Sequence, residues 1–300
     1  MIRLVLAILA LGAMPAAAAP VARLDADVTW HENVEGFGGF SGFEILDGGT
    51  RFVAISDSGR WATGRMERRD GRLVAAILER SGPLLAIDGT AVSGRDADAE
   101  GLAVDSDGRI YVSFEHFHRI RRYDRIDGPA AAVPDHPAFR RLQQNSGFEA
   151  LAIDAQGVLY AIPERSGALD RPYPVFRLRD GIWDTELSLD RAPPFLVTGA
   201  DWGPDGRLYL LERDFSLLGF RTRVRRFVLG KDGFDGGETV IETARRELDN
   251  MESISVWKDE AGQVRITLLS DDNFFPLQRT MFAEYVIEGS QFARGESGLR

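Results

Sequence analysis

Two sets of acidic residues recur at similar positions within five related segments of the chain. One set stands at the start of a segment, and the other follows the segment's second apolar stretch. The first set is Glu100, Glu149 and Glu252. The second set is Asp57, Glu115, Glu164, Glu212 and Asp271. Carboxylate oxygens are the ligands that hard divalent cations prefer. The two sets therefore predict a divalent metal site, with calcium as the expected ion.

Members of the two sets are expected to meet in pairs. In an antiparallel pair of strands, the residue that starts one strand lies beside the residue that ends the next. Glu100 should then face Glu115, and Glu149 should face Glu164. Like charges at this separation repel and raise the pKa of each carboxyl group, unless a cation or an arginine lies between them.

Arginines offer a second explanation for the same acidic residues. Arg60, Arg165 and Arg213 lie close to them in the sequence, and each could neutralise a carboxylate and fix one repeat against the next. A carboxylate neutralised in this way would be structural and would need no metal. The sequence leaves both interpretations open.

The densest run of side-chain oxygens follows the fifth segment. Asp271 is followed directly by Asp272 and Asn273, and this run adds to Glu252. Asn145 lies just before Glu149 and is a further candidate oxygen ligand. Amide oxygens beside carboxylates are common around calcium.

Three residues are candidates for catalysis beside such a metal. His116 and His118 follow Glu115, and on a strand both side chains would lie on one side. We predict His116 as a general base, because the imidazole pKa lies near neutrality. Arg165 and Arg213 are predicted to stabilise negative charge in a transition state.

The elements that position these residues form a repeat. Each segment has an apolar strand, a turn with Asp or Gly, and a second apolar strand. The segments begin at residues 41, 100, 149, 198 and 252, which are 59, 49, 49 and 54 residues apart. A period near fifty is typical of the blades of a β-propeller. We predict an all-β propeller of four-stranded blades, five in number, with a sixth left open in the long first interval.

The ends of the chain are expected to close the ring. Only one good strand, residues 280–287, follows the fifth segment, so that blade lacks an outer strand. Residues 21–30 alternate between apolar and polar side chains and can supply the missing strand. Such closure also removes exposed sheet edges.

Composition excludes several classes of protein. The formal net charge is -10 and the sequence pI is about 5.0, which argues against a nucleic-acid partner because such a protein usually carries a basic surface. No cysteine is present, so disulfides and thiolate chemistry are excluded. We expect a monomer that acts on a small-molecule ester or phosphoester.

The first residues have the pattern of a secretory signal. Arg3 precedes an apolar stretch over residues 4–11, and small alanines occupy residues 16–19. We predict a signal peptide over residues 1–19 and a single propeller domain over residues 20–300. The protein is then expected in the periplasm or outside the cell, with no membrane span.

The repeat segments resemble a known family. The runs EGLAVDSDGRIYVSFE, FEALAIDAQGVLYAIPE and GADWGPDGRLYLLERDF are similar to those of the phytase-like domain, described as "esterase-like activity of phytase". The resemblance covers roughly residues 35–290 and implies a β-propeller with esterase or phosphoesterase activity that depends on calcium. Propeller phytases surround their calcium ions with several lysines and arginines. This chain has only Lys231 and Lys258, both in hairpin turns, which favours a simpler ester over inositol hexaphosphate.

Three functions remain open from the sequence. The first is a periplasmic metal-dependent esterase or phosphoesterase with its site at one end of the central channel. The second is a propeller that binds a ligand or an envelope protein without catalysis. The third is a calcium-dependent propeller enzyme similar to lactonases.

Overall fold

The computed structural model of the chain describes residues 22–143 and 146–288. The predicted signal peptide and Asn145 lie outside these ranges. Within them, twenty strands form five four-stranded antiparallel sheets. The helices among the described residues are short 3₁₀ turns at Asp47–Gly49, Gly94–Asp96 and Pro137–Arg141. None of the described helices has the length and apolar character needed to cross a membrane.

Each sheet is one blade, numbered here in chain order. Blade 1 contains β2 (Phe40–Leu46), β3 (Arg51–Ser56), β4 (Arg60–Arg69) and β5 (Arg72–Pro83). Blade 2 contains β6 (Ala99–Val104), β7 (Ile110–Phe114), β8 (Arg119–Tyr123) and β9 (Ala131–Ala132). Blade 3 contains β10 (Ala150–Ile153), β11 (Leu159–Ile162), β12 (Tyr173–Arg179) and β13 (Ile182–Leu189). Blade 4 contains β14 (Leu196–Trp202), β15 (Leu208–Ser216), β16 (Gly219–Gly230) and β17 (Gly233–Glu242). Blade 5 contains β18 (Met251–Lys258), β19 (Val264–Ser270), β20 (Met281–Ile287) and β1 (Ala22–Thr29).

The fifth blade closes the ring as predicted. β1 pairs with β20 in an antiparallel register that runs from Ala22 opposite Ile287 to Thr29 opposite Met281. The outer strand of blade 5 therefore comes from the opposite end of the chain. Five blades account for the ring. The long interval after the first repeat holds the extended β5 and the loop of residues 84–98.

The core lies between the blades. Five apolar clusters each combine residues of two neighbouring blades, including the pair formed by blades 5 and 1. Between blades 1 and 2, for example, Val53 and Ile55 pack in one cluster with Leu102 and Val112. Both faces of every sheet are covered in this way, which explains why the inner strands are apolar with few interruptions.

The first two strands of a blade meet at a tight turn at one end of the ring. In blade 3, the Gly157 amide donates to the Asp154 carbonyl at 2.9 Å, and Gly157 has φ +78°. Side chains other than glycine rarely adopt this conformation, so the repeat carries glycine here. The start of each inner strand and the end of its neighbour consequently lie at the opposite end, which we call the mouth.

Candidate functional site

One backbone contact recurs at the mouth in four blades. A residue just past the end of the second strand donates its amide hydrogen to the carbonyl of the residue two positions before the segment start. These bonds join Asp57 to Gly39 (2.9 Å), Glu115 to Asp98 (2.8 Å), Glu164 to Gly147 (3.1 Å) and Asp271 to Asn250 (2.9 Å). The second acidic set therefore occupies one structural position in blades 1, 2, 3 and 5.

Blade 4 differs at this position, and the prediction for Glu212 changes with it. The register pairs Leu196 with Arg213 and Val197 with Glu212. Arg213 thus holds the position of the acidic residues in the other blades, and Glu212 lies one residue earlier. Successive side chains of a strand point to opposite faces, so Glu212 points away from the mouth.

Glu212 is neutralised where it lies. Its carboxylate is fully buried and accepts from Arg223 Nε at 2.9 Å and from Arg225 at 2.7 Å through both Nε and Nη2. Two arginines neutralise this one carboxylate, so it does not need a metal ion to balance its charge. We therefore leave Glu212 out of the proposed ligand set.

Carboxylates without an arginine gather across blades 1, 2, 3 and 5. We call them the mouth cluster: Asp57, Asp98, Glu100, Glu115, Glu149 and Asp271. Within it, single ligand atoms of Glu100, Glu115 and Glu149 lie within 4.8 Å of one another. Asp98, Glu115 and His116 form a second group, whose ligand atoms also lie within 4.8 Å of one another. Such groups of oxygen and imidazole ligands could hold a metal ion.

The charges of the mouth cluster oppose one another. Burial, then the charge of Glu149, raises the pKa of Glu100 well above its ordinary value. Burial, then the charge of Glu252, raises the pKa of Glu149 in the same way. Among the described residues, neither Glu100 nor Glu149 has an arginine or lysine within ion-pair distance. A cation placed among these groups would oppose both shifts, because it favours the charged form of each carboxylate.

Asp57 and Asp271 extend the cluster towards blades 1 and 5. Burial and the charge of Asp98 raise the pKa of Asp57 to about 6. Burial and the charge of Glu252 raise the pKa of Asp271 to about 8. Asp57 Oδ1 is buried and accepts no hydrogen bond from the described residues. An orphaned carboxylate oxygen beside other acidic groups fits a cation ligand.

Glycine lets the chain approach Asp57 closely. Gly39 has φ +64°, and a Cβ atom at this position would lie 2.5 Å from Asp57 Oδ1. The same Cβ atom would also lie 2.6 Å from the ring of Phe274. The Gly39 amide donates to Asp272 Oδ1 at 3.0 Å, so Asp272 is occupied in holding this loop.

Arginine neutralises the acidic residues on the side of blade 4. Arg213 Nη1 contacts Glu252 Oε1 and donates to Asn250 Oδ1 at 2.5 Å, while its Nη2 lies 4.0 Å from Glu164 Oε1. Burial opposes its charge, but Glu252 and Glu149 raise the pKa of Arg213. Glu164 also accepts from Arg165 Nε at 2.8 Å. Arginine pairing therefore applies to these two glutamates.

The third predicted arginine does not take part. Arg60 lies within 4.0 Å of no carboxylate in the described part of the chain, and its aliphatic stem lies 3.0 Å from where a Cβ atom of Gly36 would stand. The mouth thus contains both arrangements that the sequence left open: neutralised carboxylates beside blade 4 and unneutralised ones around blade 2.

The two histidines lie on a turn, so the prediction that they share one side of a strand is wrong. Residues 115–118 form the turn between β7 and β8, and His116 has φ +55°. His116 Nε2 lies 3.0 Å from Asp98 Oδ2, at the edge of the mouth cluster. His118 packs against Gly147 instead, and burial lowers its pKa.

Two mouth residues were missed from the sequence. Asp98 and Asn250 each stand two positions before a leading glutamate, so the period of a strand places them on the same side as that glutamate. Asn250 donates from Nδ2 to Glu252 Oε1 at 2.7 Å. Asn273, which was predicted as a ligand, is exposed and donates from Nδ2 to Gln278 at 3.1 Å, outside the cluster.

A separate acidic pair lies deeper in the channel. Glu44 of β2 and Asp201 of β14 are buried, and Glu44 Oε2 accepts from the Ser255 hydroxyl at 2.6 Å. Asp201 Oδ2 accepts from the Val256 amide at 2.6 Å. Burial raises the pKa of Asp201 to about 7, and burial with the charge of Asp201 raises the pKa of Glu44 well above its ordinary value. The pair joins the inner strands of blades 1, 4 and 5.

The fold and the site define a five-bladed β-propeller with an acidic channel mouth. The sequence model of the Phytase-like family, described as "Esterase-like activity of phytase", matches residues 35–274. The chain therefore belongs to this family. No curated protein sequence matches the chain.

The solved structures that match the chain are distant in sequence. A gluconolactonase from Xanthomonas campestris is 18% identical, with 79% of this chain and 68% of that chain covered and a TM-score of 0.41. A luciferin-regenerating enzyme is 11% identical, with coverages of 89% and 98% and a TM-score of 0.48. A glucose dehydrogenase is 11% identical, with coverages of 88% and 99% and a TM-score of 0.46. These matches carry no argument about the activity of this chain.

Proposed function

We propose that the protein is an exported, divalent-metal-dependent hydrolase of carboxylic esters, including cyclic esters. One observation carries the proposal: Glu100, Glu115 and Glu149 bring ligand atoms within 4.8 Å of one another, and none of them has an arginine partner among the described residues. Membership of a family described by esterase-like activity supports the reaction class.

The donor set fits calcium better than a softer metal. Glu100, Glu115 and Glu149 offer only oxygen ligands, and Asp57 and Asp271 can add two more carboxylates from the neighbouring blades. When bound, the cation would polarise the ester carbonyl and lower the pKa of a water molecule. A cluster of this negative charge would otherwise repel the anionic product of ester hydrolysis.

The chain's own residues can complete the reaction. Water oxygen adds to the acyl carbon as its proton passes to His116, the acyl C–O bond breaks, and the alkoxide that leaves takes this proton from His116. His116 can accept the proton of the water, because Asp98 beside its Nε2 stabilises the imidazolium that forms. Arg213, with Arg165 at the edge of the mouth, can donate to the oxygen that becomes negative.

Phosphoesters are the less favoured substrates. A phosphate brings more negative charge to the mouth than a carboxylic ester does, and the mouth cluster is itself acidic. A propeller that binds a ligand without catalysis is favoured by a different observation, namely that arginine neutralises Glu164, Glu212 and Glu252.

A substrate panel separates these functions. Purified protein lacking residues 1–19 is assayed on carboxylic esters, lactones and phosphoesters, with calcium and with EDTA. We expect turnover of carboxylic esters or lactones only with the cation. Glu149→Gln should lower kcat/KM by about a hundredfold or more, as removal of a group that positions the catalytic centre does. The exposed Glu67 on blade 1 provides the matched control, Glu67→Gln.

Arg213→Gln distinguishes chemistry from cation binding. This variant should lower kcat while calcium still binds, because Arg213 acts on the reacting oxygen and holds no cation. Absence of turnover on every ester and lactone with calcium bound would contradict the proposal and favour the binding propeller. Export is tested separately, by locating the full-length chain in periplasmic and cytoplasmic fractions.

A further inference from the structure

The loops around the mouth carry most of the exposed apolar side chains. Fourteen large hydrophobic residues are exposed among the described residues. Seven of them lie on the connections between the second and third strands of blades 2 to 5, which begin at the mouth, and an eighth, Phe215, lies near the end of β15 beside such a connection. These eight are Phe117, Leu169, Phe215, Leu217, Leu218, Phe274, Phe275 and Leu277. Scattered exposed hydrophobics need no explanation, but a concentration around a site does.

A groove of about 960 Å³ runs from the mouth between the loops of blades 4 and 5. One part of its lining is polar and belongs to the site already described, with Arg213, Asn250 and Glu252. The apolar part of the lining is formed by Leu196, Phe215, Leu217, Phe220 and Phe275, which lie among the polar residues Asp214, Ser216, Arg246, Asn273 and Gln278. The volume is at the upper end of the range of small-molecule sites. A small polar ester would leave the apolar part empty.

The apolar wall is held in place by the blade 4 hairpin. Phe215 and Phe220 face each other across β15 and β16, with ring centroids 4.9 Å apart. Arg245 donates to Asp214 Oδ2 at 2.5 Å and to the Gly219 carbonyl at 2.7 Å, which ties the hairpin to the body of the blade. The Arg213 guanidinium lies 5.9 Å from the Phe220 ring centroid, where the polar and apolar parts of the groove meet.

We propose that this groove takes the apolar acyl chain of an amphiphilic ester or lactone, with the ester group held at the mouth. The proposal rests on the proposed function and names its substrate class. Its basis is the continuity of the groove: Arg213 and Glu252 line both the site and the groove, so a ligand that spans the two needs a polar end and an apolar end. Burial of each methylene in the groove adds affinity.

The dependence on chain length tests this substrate class. Hydrolysis of 4-nitrophenyl acetate, butyrate and octanoate is measured with saturating calcium, and binding of acetate and octanoate is measured by calorimetry. We expect kcat/KM and affinity to rise by about tenfold or more from the two-carbon to the eight-carbon chain, since a fully buried methylene contributes roughly a factor of four. Leu217→Asp and Phe275→Asp should each reduce this ratio towards one.

Ile182→Asp is the matched control. Ile182 is as exposed as the groove residues but lies at the end of the ring opposite the mouth, at the start of β13. The ratio of kcat/KM for the octanoate ester to kcat/KM for the acetate ester should be the same in this variant as in the unmodified protein. Equal binding of acetate and octanoate, or an unchanged ratio in both groove variants, would overturn the inference whether or not the esters are hydrolysed.

The binding arm separates this inference from the proposed function. If binding depends on chain length but no ester is hydrolysed, the proposed function is contradicted. The inference that the groove binds an apolar chain would still hold. Sedimentation with phosphatidylcholine vesicles tests whether the exposed apolar residues bind a lipid surface instead. Vesicle binding that depends on Leu217 and Phe275, without preference for octanoate over acetate, would assign these residues to a lipid surface and overturn the inference.

Discussion

Blades 2 and 4 place different residues at the same three positions of the mouth. The positions are the segment start, the residue two places before it, and the residue of the second strand, or just after it, that lies opposite this earlier residue. In blade 2 they are Glu100, Asp98 and Glu115. In blade 4 they are Thr198, Leu196 and Arg213. One side of the mouth therefore presents carboxylates that no arginine of the described residues neutralises, and the other side supplies a guanidinium and the beginning of an apolar groove.

The third strands of blades 2 and 4 differ in whether their arginines reach the acid of the second strand. In blade 4, β16 carries Arg223 and Arg225 opposite Glu212, and both pair with it. In blade 2, Arg119 of β8 donates to the Asp96 carbonyl at 2.6 Å and stacks on Phe114 at 4.4 Å, so it does not reach the mouth cluster. The repeat supplies acidic residues in both blades, but only blade 2 leaves them available.

The largest effect is expected for the neutralised acid of blade 4. Glu212→Ala leaves two buried guanidinium groups without their carboxylate, which should lower the free energy of unfolding by about 3–5 kcal/mol. Urea denaturation with calcium present measures the change. Glu242→Ala is the control, because Glu242 is an exposed partner of Arg221 on the same blade; its effect should stay below about 1 kcal/mol. Equal effects of the two variants would show that burial of the Glu212 cluster has no energetic consequence.

The corresponding change in blade 2 should have the opposite sign. In EDTA at pH 9, Glu100→Gln removes a buried charge that neighbouring carboxylates repel. The free energy of unfolding, and with it Tm, should therefore rise in the variant, because the repulsion from the neighbouring carboxylates is removed. With calcium present the same variant should be less stable than the unmodified protein. Destabilisation in EDTA would mean that Glu100 has a favourable partner.

The pH dependence of stability separates the mouth from the deeper pair. The folded-state pKa of Asp201 is about 7, above the ordinary value of 3.8 for an aspartate. The folded state therefore holds its proton more tightly than the unfolded state. The stabilisation from the protonated Glu44 and Asp201 pair is complete below about pH 4 and is lost as the pH rises through about 7. Calcium should not alter this part of the profile.

Asp201→Asn checks that assignment. Scans of Tm between pH 5 and pH 9 at saturating calcium should fall with pH in the unmodified protein and be flatter in the variant. This effect is the smallest expected, because one proton is involved. If Tm of the variant falls with pH as steeply as Tm of the unmodified protein, the pH dependence does not arise from Asp201, and the assignment is wrong.

The fold could be predicted from the repeat, because five segments share the same pattern of strand, turn and strand. Closure by residues 22–29 follows from the missing outer strand of blade 5, and the structure confirms it. The position of Glu212 was predicted wrongly, although its spacing contained the signal. Glu115 and Glu164 each follow their turn glycine, Gly108 and Gly157, by seven residues, and Glu212 follows Gly206 by six.

Other parts of the site could not be predicted because they depend on contacts between blades. Glu44 and Asp201 each stand three residues after a segment start, at 41 and 198, but alanine occupies this repeat position in blades 2 and 3, and only closure of the ring brings the two acids together. The left-handed conformation of His116 in a tight turn is likewise not indicated by alternation of side chains. Asp98 could have been found by applying the period of a strand backwards from Glu100.

Calcium binding to the stripped protein tests the central claim, that the carboxylates around blade 2 form a cation site. Calorimetric titration and thermal unfolding are carried out on the unmodified protein, on a Glu100→Gln and Glu149→Gln double variant, and on Glu242→Gln as control. We predict saturable binding and a rise in stability of about 2.7 kcal/mol at one hundred times Kd, both retained by the control and lost in the double variant. Absence of binding, or equal binding by the double variant, would contradict the account.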